Sequence, residues 1–217
     1  MTPDNPTFDL RKAISEHGPI EVLLETCTLT GLVALGATAI RIELRSPVDR
    51  KLVGHVSGHL CVIPLIREGR AAVLVSELRQ ANASLAADGA VAARALASVP
   101  EGQMTDGYLQ IDHVEVANEF RGLGLGLWLV TMAVDRALIE VTDDPTLLMS
   151  LMVPSEHDRS VDQATAEAIE MIAEPFPFSC VGRSAGRRVI AGMVDGALAN
   201  EVGVYAGLRI HPMGQGR

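Results

Sequence analysis

Residues 108–140 read YLQIDHVEVANEFRGLGLGLWLVTMAVDRALIE, and this stretch decides the fold. Tyr108 to Val116 has the composition of a strand, and Ala117, Asn118 and Glu119 make a short polar turn after it. Arg121 opens a glycine-rich loop that runs to Gly126. From Leu127 to Ile139 the chain is apolar around most of a helical circumference, so the helix it predicts is largely buried. A strand that passes through glycines into a helix suits an anion. The first N–H groups of a helix have no intrahelical partner, and the macrodipole adds partial positive charge there. Gly122, Gly124 and Gly126 lack the Cβ atoms that would hold a phosphate off the backbone, so a pyrophosphate fits at this point.

A dinucleotide fingerprint of the form G-x-G-x-x-G also follows a strand, but it fits poorly. Counted from Gly122 its third glycine falls on Leu127, and counted from Gly124 it falls on Leu129. The run Val116, Ala117, Asn118, Glu119, Phe120, Arg121, Gly122, Leu123, Gly124, Leu125, Gly126 instead resembles the acetyl-CoA signature of the GNAT acetyltransferase superfamily. The carrying features are the apolar strand, the acidic-aromatic pair and the arrangement Arg121-x-x-Gly124-x-Gly126. Asn118 stands where proline is usual, and Leu123 where a basic residue is frequent. Neither departure touches the arginine or the two signature glycines.

The resemblance implies an α/β fold with a mixed α+β sheet, GNAT-like, in which a splayed central parallel strand pair is flanked by helices. It also implies acetyl-CoA as co-substrate and a primary amine, of a small molecule or a protein, as acceptor. By the same resemblance the backbones of Val114 and Val116 bind the pantetheine arm, and Arg121, Gly122, Leu123, Gly124, Leu125 and Gly126 hold the pyrophosphate. An N–H near Val116 would polarise the thioester carbonyl, where a fixed donor stabilises the developing oxyanion. The attacking amine must be neutral, which calls for a base. Family members commonly place an acidic residue or a histidine nine residues before the arginine, and Asp112 stands there. On a regular strand His113 and Glu115 face away from Asp112, whereas a bulge, frequent in this family, would re-aim them. Asp112 or Glu115 is the expected base.

The usual acid is a tyrosine on the helix after the parallel strand. Ile169, Met171 and Ile172 occupy that area here. Tyr205, reaching in from the tail, is the expected substitute, while Tyr108 begins the strand and is expected to pack. The departure keeps a second class of function in view: a non-catalytic acyl-CoA-binding or regulatory module on the same fold. A nucleotide-binding α/β protein is the third.

The flanking sequence supplies the rest of a sheet. Ile40, Ile42 and Leu44 alternate with Arg41, Glu43 and Arg45, which is a half-buried strand, and 52–63 returns from a turn at 46–49 to make an antiparallel hairpin. His55, Ser57 and His59 share the polar face of that return strand. Residues four apart along a strand are about 13 Å apart, too far for His55 and His59 to share one ion, so no metal is expected. Residues 71–98 are alanine-rich and predict a helix or helix pair. Residues 146–153 predict a buried strand parallel to the central one, because a helix intervenes. A polar loop at 154–159, a helix over 161–173 and a hairpin from 178–183 and 188–194 follow. Residues 1–37, with helical spacing between 12 and 34 where the resemblance implies the first strand and helices, and an irregular glycine-rich tail at 196–217 are expected as appendages of one domain spanning 1–217. The GNAT plan covers residues 38–195 by element order.

Composition narrows the classes. Hydrophobic residues make up 48% but aromatics only 3%, so the core must be aliphatic. A formal charge of −9 argues against a general nucleic-acid surface, which needs clustered cations. No apolar run is long enough for a membrane span and the first residues are polar, so the expectation is a cytoplasmic protein. Cys27, Cys61 and Cys180, odd in number and widely spaced, read as mostly buried thiols in a reducing compartment. Neither the acceptor nor the oligomeric state, a homodimer included, can be read from the sequence.

Overall fold

The computed structural model describes residues 21–28, 37–62, 95, 105–141, 146–153, 174–184 and 187–205. Their elements run β1 (Glu21–Thr28), β2 (Ala37–Arg45), β3 (Leu52–Val62), β4 (Gly107–Val116), a 3-10 turn (Asn118–Phe120), α1 (Leu125–Val141), β5 (Thr146–Val153), β6 (Ser179–Ser184), β7 (Arg187–Asp195) and α2 (Gly196–Tyr205). The strands form one sheet in the order β1-β2-β3-β4-β5-β7-β6. Every neighbouring pair is antiparallel except β4 with β5. This is the mixed sheet with one central parallel pair that the sequence predicted. Among the described residues no helix is long and apolar enough to cross a membrane.

The alternation read in the sequence sorts the sheet into two faces. Ile40, Ile42 and Leu44 on β2, Val56 and Leu60 on β3, and Leu109 and Ile111 on β4 are buried under α1. That helix contributes Leu125, Trp128, Leu129, Val130, Ala133, Val134 and Ala137 to the same core. Each fully buried aliphatic side chain of this kind contributes roughly 1.5–3 kcal/mol by leaving water, so the α1 face supplies most of the cohesion. The opposite face of β2 is charged. Glu43, almost fully buried there, is forked between Arg41 and Arg45, with Nε–Oε distances of 2.8 Å to each. Burial pushes the Glu43 carboxyl up, but the guanidiniums of Arg45 and Arg41 together outweigh it and hold the group below the usual carboxylate range.

Four local expectations are corrected. The segment 21–28 is the edge strand β1, the first strand that the resemblance implies, and not the helix that its weak apolar spacing allows, because pairing along the whole of β2 outweighs that spacing. The helix after the glycine loop begins at Leu125, so Leu125 and Gly126 belong to its first turn and not to the loop. Residues 196–205 form α2, which packs on α1 and β7 through the buried Ala199 and Val202; small apolar residues conceal its period in the sequence. Cys61 is buried, and burial pushes its thiol up to about 12, whereas Cys180 is exposed on the edge strand β6. The alanine-rich helices of 71–98, except Ala95, the loop 154–159, the helix 161–173, the tail beyond 205 and the side chain of Cys27 lie outside the described residues.

Candidate functional site

The parallel pair is clamped at one end and open at the other. At the start of β4, Asp106 N–H donates to the Thr146 carbonyl (2.8 Å) and the Asp106 carboxylate accepts from Thr146 N–H (3.1 Å). The buried Thr105 hydroxyl sits 2.7 Å from the Gly107 carbonyl and 3.0 Å from that of Thr146, and accepts from Leu148 N–H. Register then runs from Gly107 opposite Leu147 to Ile111 opposite Leu151, and stops. Yet β4 continues to Val116 and β5 to Val153. From Asp112 onward the β5-facing edge of β4 has no strand partner among the described residues, which is the opening an extended ligand would need.

The opening begins at a bulge. On the β3 side Ser57 pairs with His113 and Gly58 with Ile111, leaving Asp112 as the extra residue. Gly58 is what lets β4 come that close: a Cβ there would lie 2.2 Å from the Gln110 carbonyl oxygen. The bulge settles the orientation that a regular strand leaves to alternation. Asp112 turns to the face away from α1, alongside Gln110 and His113, instead of opposite its neighbour.

On that face the side chains form a continuous polar chain. Ser150 Oγ lies 2.7 Å from the Tyr108 hydroxyl, which donates to Gln110 Oε1 at 2.8 Å. Gln110 Nε2 donates to Asp112 Oδ1 at 2.7 Å. Asp112 Oδ2 in turn is 2.6 Å from His59 Nδ1. Tyr108, Gln110 and Ser150 are buried, so these bonds are strengthened by low dielectric and hold the Asp112 carboxylate in place. Tyr108 packs, as expected of a strand start, and its hydroxyl is committed to this chain. The contact of His59 with Asp112 is what sequence reasoning missed. Sharing a strand face with His55 and Ser57 was visible, but its contact with Asp112 depends on cross-strand register shifted by the bulge.

Past the end of β4 the chain enters the glycine loop. Phe120 is buried and anchors the 3-10 turn, and Glu119 pairs with Lys51 from the β2–β3 turn. Arg121 Nε donates back to the Val116 carbonyl at 3.2 Å, tying the loop to the strand end. Gly122 (φ 79°) and Gly124 (φ 75°) both take the left-handed conformation that favours glycine. A Cβ on Gly122 would meet nothing within 4 Å, so the space above this backbone is open. The first helical bond of α1 runs from Trp128 N–H to the Gly124 carbonyl, 3.1 Å, so the N–H groups of Leu125, Gly126 and Leu127 precede it. No acidic side chain stands in that first turn to compete with an anion.

The remaining expected residues divide. Val114 and Val116 lie past the bulge and are half-buried against the core; Leu123 packs beside them, and Leu125 is buried. Their side chains serve packing. Glu115 is exposed and contacts His55 Nδ1 (3.8 Å) and His113 Nε2 (3.4 Å), not Asp112. Burial first, then the neighbouring His113, pushes the His55 imidazole below its ordinary value. Tyr205 is the last residue of α2, so its backbone belongs to a helix and not to a loose tail.

No protein-family model matches the chain, and no curated protein matches it. Several solved structures share part of its backbone course. A mosquito arylalkylamine N-acetyltransferase-like 5b protein is 12% identical with a TM-score of 0.45, covering 71% of this chain and 74% of its own. Arabidopsis thaliana NAA60, solved with a bisubstrate analogue, is 11% identical with a TM-score of 0.38, covering 72% and 76%. Nourseothricin acetyltransferase is 14% identical with a TM-score of 0.35, covering 72% and 65%. The chain's own sheet order is β1-β2-β3-β4-β5-β7-β6. That order, its single parallel pair opening beyond Ile111 and the glycine loop leading into α1 make the fold GNAT-like.

Proposed function

We propose that the chain is an N-acyltransferase that moves an acetyl group from acetyl-CoA to a primary amine by direct attack. The observation that carries this reading is the coincidence of three features at one place: the end of β4–β5 pairing at Ile111, the bulge at Asp112, and two left-handed glycines leading to the start of α1. Together they offer an open strand edge for an amide-bearing arm and, one loop further on, backbone N–H groups for a pyrophosphate. The open space above Gly122 is the room such a group needs.

Acetyl-CoA supplies the activated thioester. In this reading Val114 and Val116 bind the pantetheine amides through their backbones, and Arg121, Gly122, Leu123, Gly124, Leu125 and Gly126 hold the diphosphate. An N–H at the Val116 end of the strand stabilises the oxyanion as the amine nitrogen forms its bond to carbon and the carbon–sulfur bond breaks. Of the two carboxylates expected as base, Asp112 is the one at the opening, fixed by Gln110 and beside His59. It takes the proton that the amine loses. Tyr205 or solvent returns a proton to the departing thiolate.

The test is acetyl-CoA-dependent thiol release with a panel of primary amines. Asp112→Asn should lower kcat about 100-fold or more while leaving KM for acetyl-CoA within about twofold, the split expected of a base and not of a binding group. Turnover unaffected by Asp112→Asn would remove Asp112 from the role. A second reading, acyl-CoA binding without transfer, is favoured by one observation: Tyr108 is buried and its hydroxyl is committed to Gln110 and Ser150. It predicts acetyl-CoA binding with no thiol release for any amine.

A further inference from the structure

Three side chains on the face away from α1 have no part in the acyl-transfer reading. His55 and Glu115 are direct cross-strand partners on β3 and β4, and His113 lies two residues before Glu115 on the same face. The rings of His55 and His113 have centroids 5.0 Å apart. A cross-strand pair with its diagonal neighbour falls within reach of one ion, which two residues four apart on a single strand do not. Here the imidazole nitrogens and the carboxylate oxygen all lie within 4.8 Å of one another.

We propose that His55, His113 and Glu115 form a binding site for a late first-row divalent cation, with zinc as the best-fitting ion. Two imidazoles and one carboxylate are a zinc ligand set, with water as the fourth ligand. Bonds of about 2.0–2.1 Å to a tetrahedral ion put its ligand atoms roughly 3.3 Å apart. Glu115 Oε2 stands 3.4 Å from His113 Nε2 and 3.8 Å from His55 Nδ1, so the first pair already has the spacing and the second needs a few tenths of an ångström. A second observation is independent of this spacing. His55 Nδ1 is buried and has no hydrogen-bond partner among the described residues. A buried imidazole nitrogen left so is costly, and an ion between it and Glu115 Oε2 would satisfy it. The cation that faces His55 from β2, Arg41, is tied to Glu43 at 2.7 Å and so does not take the carboxylate of Glu115. An ion here would staple β3 to β4 just past the bulge, on the half of β4 that lacks β5 as a partner.

The experiment is titration of chelator-stripped full-length protein with zinc chloride by calorimetry, with the visible spectrum of the cobalt(II)-loaded protein as a direct readout of ligands. One ion per chain should bind. His113→Ala and Glu115→Gln, both at exposed side chains, should each weaken binding at least about tenfold. His157→Ala, a histidine elsewhere in the sequence, should leave binding unchanged. His113→Cys should add a thiolate-to-cobalt charge-transfer band. Absence of saturable zinc binding, or a site that survives both His113→Ala and Glu115→Gln, would overturn the proposal. The outcome is independent of acyl-CoA binding, so neither reading falls with the other.

Discussion

The two halves of β4 live in different surroundings. Gly107 to Ile111 are buried on both faces, whereas Asp112 to Val116 alternate between half-buried and exposed. The first half has β3 on one edge and β5 on the other, and is stapled to β5 by Thr105 and Asp106. Among the described residues the second half has β3 alone. The lesson is that a single strand supplies both the rigid frame and the open edge, and the changeover is one residue wide. Asp112 is that residue, and Gly58 across from it makes the changeover fit.

If this division is real, substitutions should split by side of the bulge. The largest effect is expected at Gly58→Ala, whose Cβ would meet the Gln110 carbonyl oxygen at 2.2 Å, a backbone atom that cannot swing aside as a side chain would. A loss of about 4 kcal/mol in denaturant unfolding is expected, because the ladder itself must shift. Leu109→Ala, in the doubly covered half, should cost about 3 kcal/mol through the cavity it leaves. Val114→Ala, on the same face of the strand but past the bulge, should cost only about 1 kcal/mol, since its site is half-open and can relax. Equal losses for Leu109→Ala and Val114→Ala would break the comparison.

The smallest effect concerns α1. Burial pushes the Asp135 carboxyl up to about 6. A carboxylate raised in the folded state holds its proton more tightly there than in the unfolded chain, so its favourable contribution is present at low pH and is lost as pH rises through about 6. Asp135→Asn should therefore stabilise the protein above about pH 6, by about 1 kcal/mol after allowing for the exposed part of the group, and should make no difference near pH 4. Thermal unfolding of the two proteins across that range reads it directly.

Much of this frame was legible from residues 108–140. Apolar period and glycine placement were enough for β4, the loop and α1, because long patterned elements carry their own signal. Alternation in 40–44 gave the β2–β3 hairpin for the same reason. The parts that escaped depend on partners distant in sequence. The contact of His59 with Asp112 needs the register of β3 on β4, which the bulge shifts, and nothing local to His59 announces it. Strand rise keeps His55 and His59 about 13 Å apart, but His113 and Glu115 reach His55 across the ladder, where spacing along one strand does not apply. The strand at 21–28 owes its form to β2, and α2 is held by packing on α1 in place of a strong period. Tyr205 could not be placed for that reason.

The most direct test of the central claim is calorimetric titration with acetyl-CoA, beside desulfo-CoA and NADH, of the wild type and Gly124→Asp. At Gly124 a side chain must enter the left-handed region (φ 75°) and a carboxylate meets the proposed diphosphate cradle. Circular dichroism and Trp128 fluorescence would establish that the variant is folded. The account predicts micromolar binding of both CoA ligands by the wild type, none by Gly124→Asp, and none of NADH by either. Well-folded wild type that ignores the CoA ligands, or that binds NADH in their place, would contradict it.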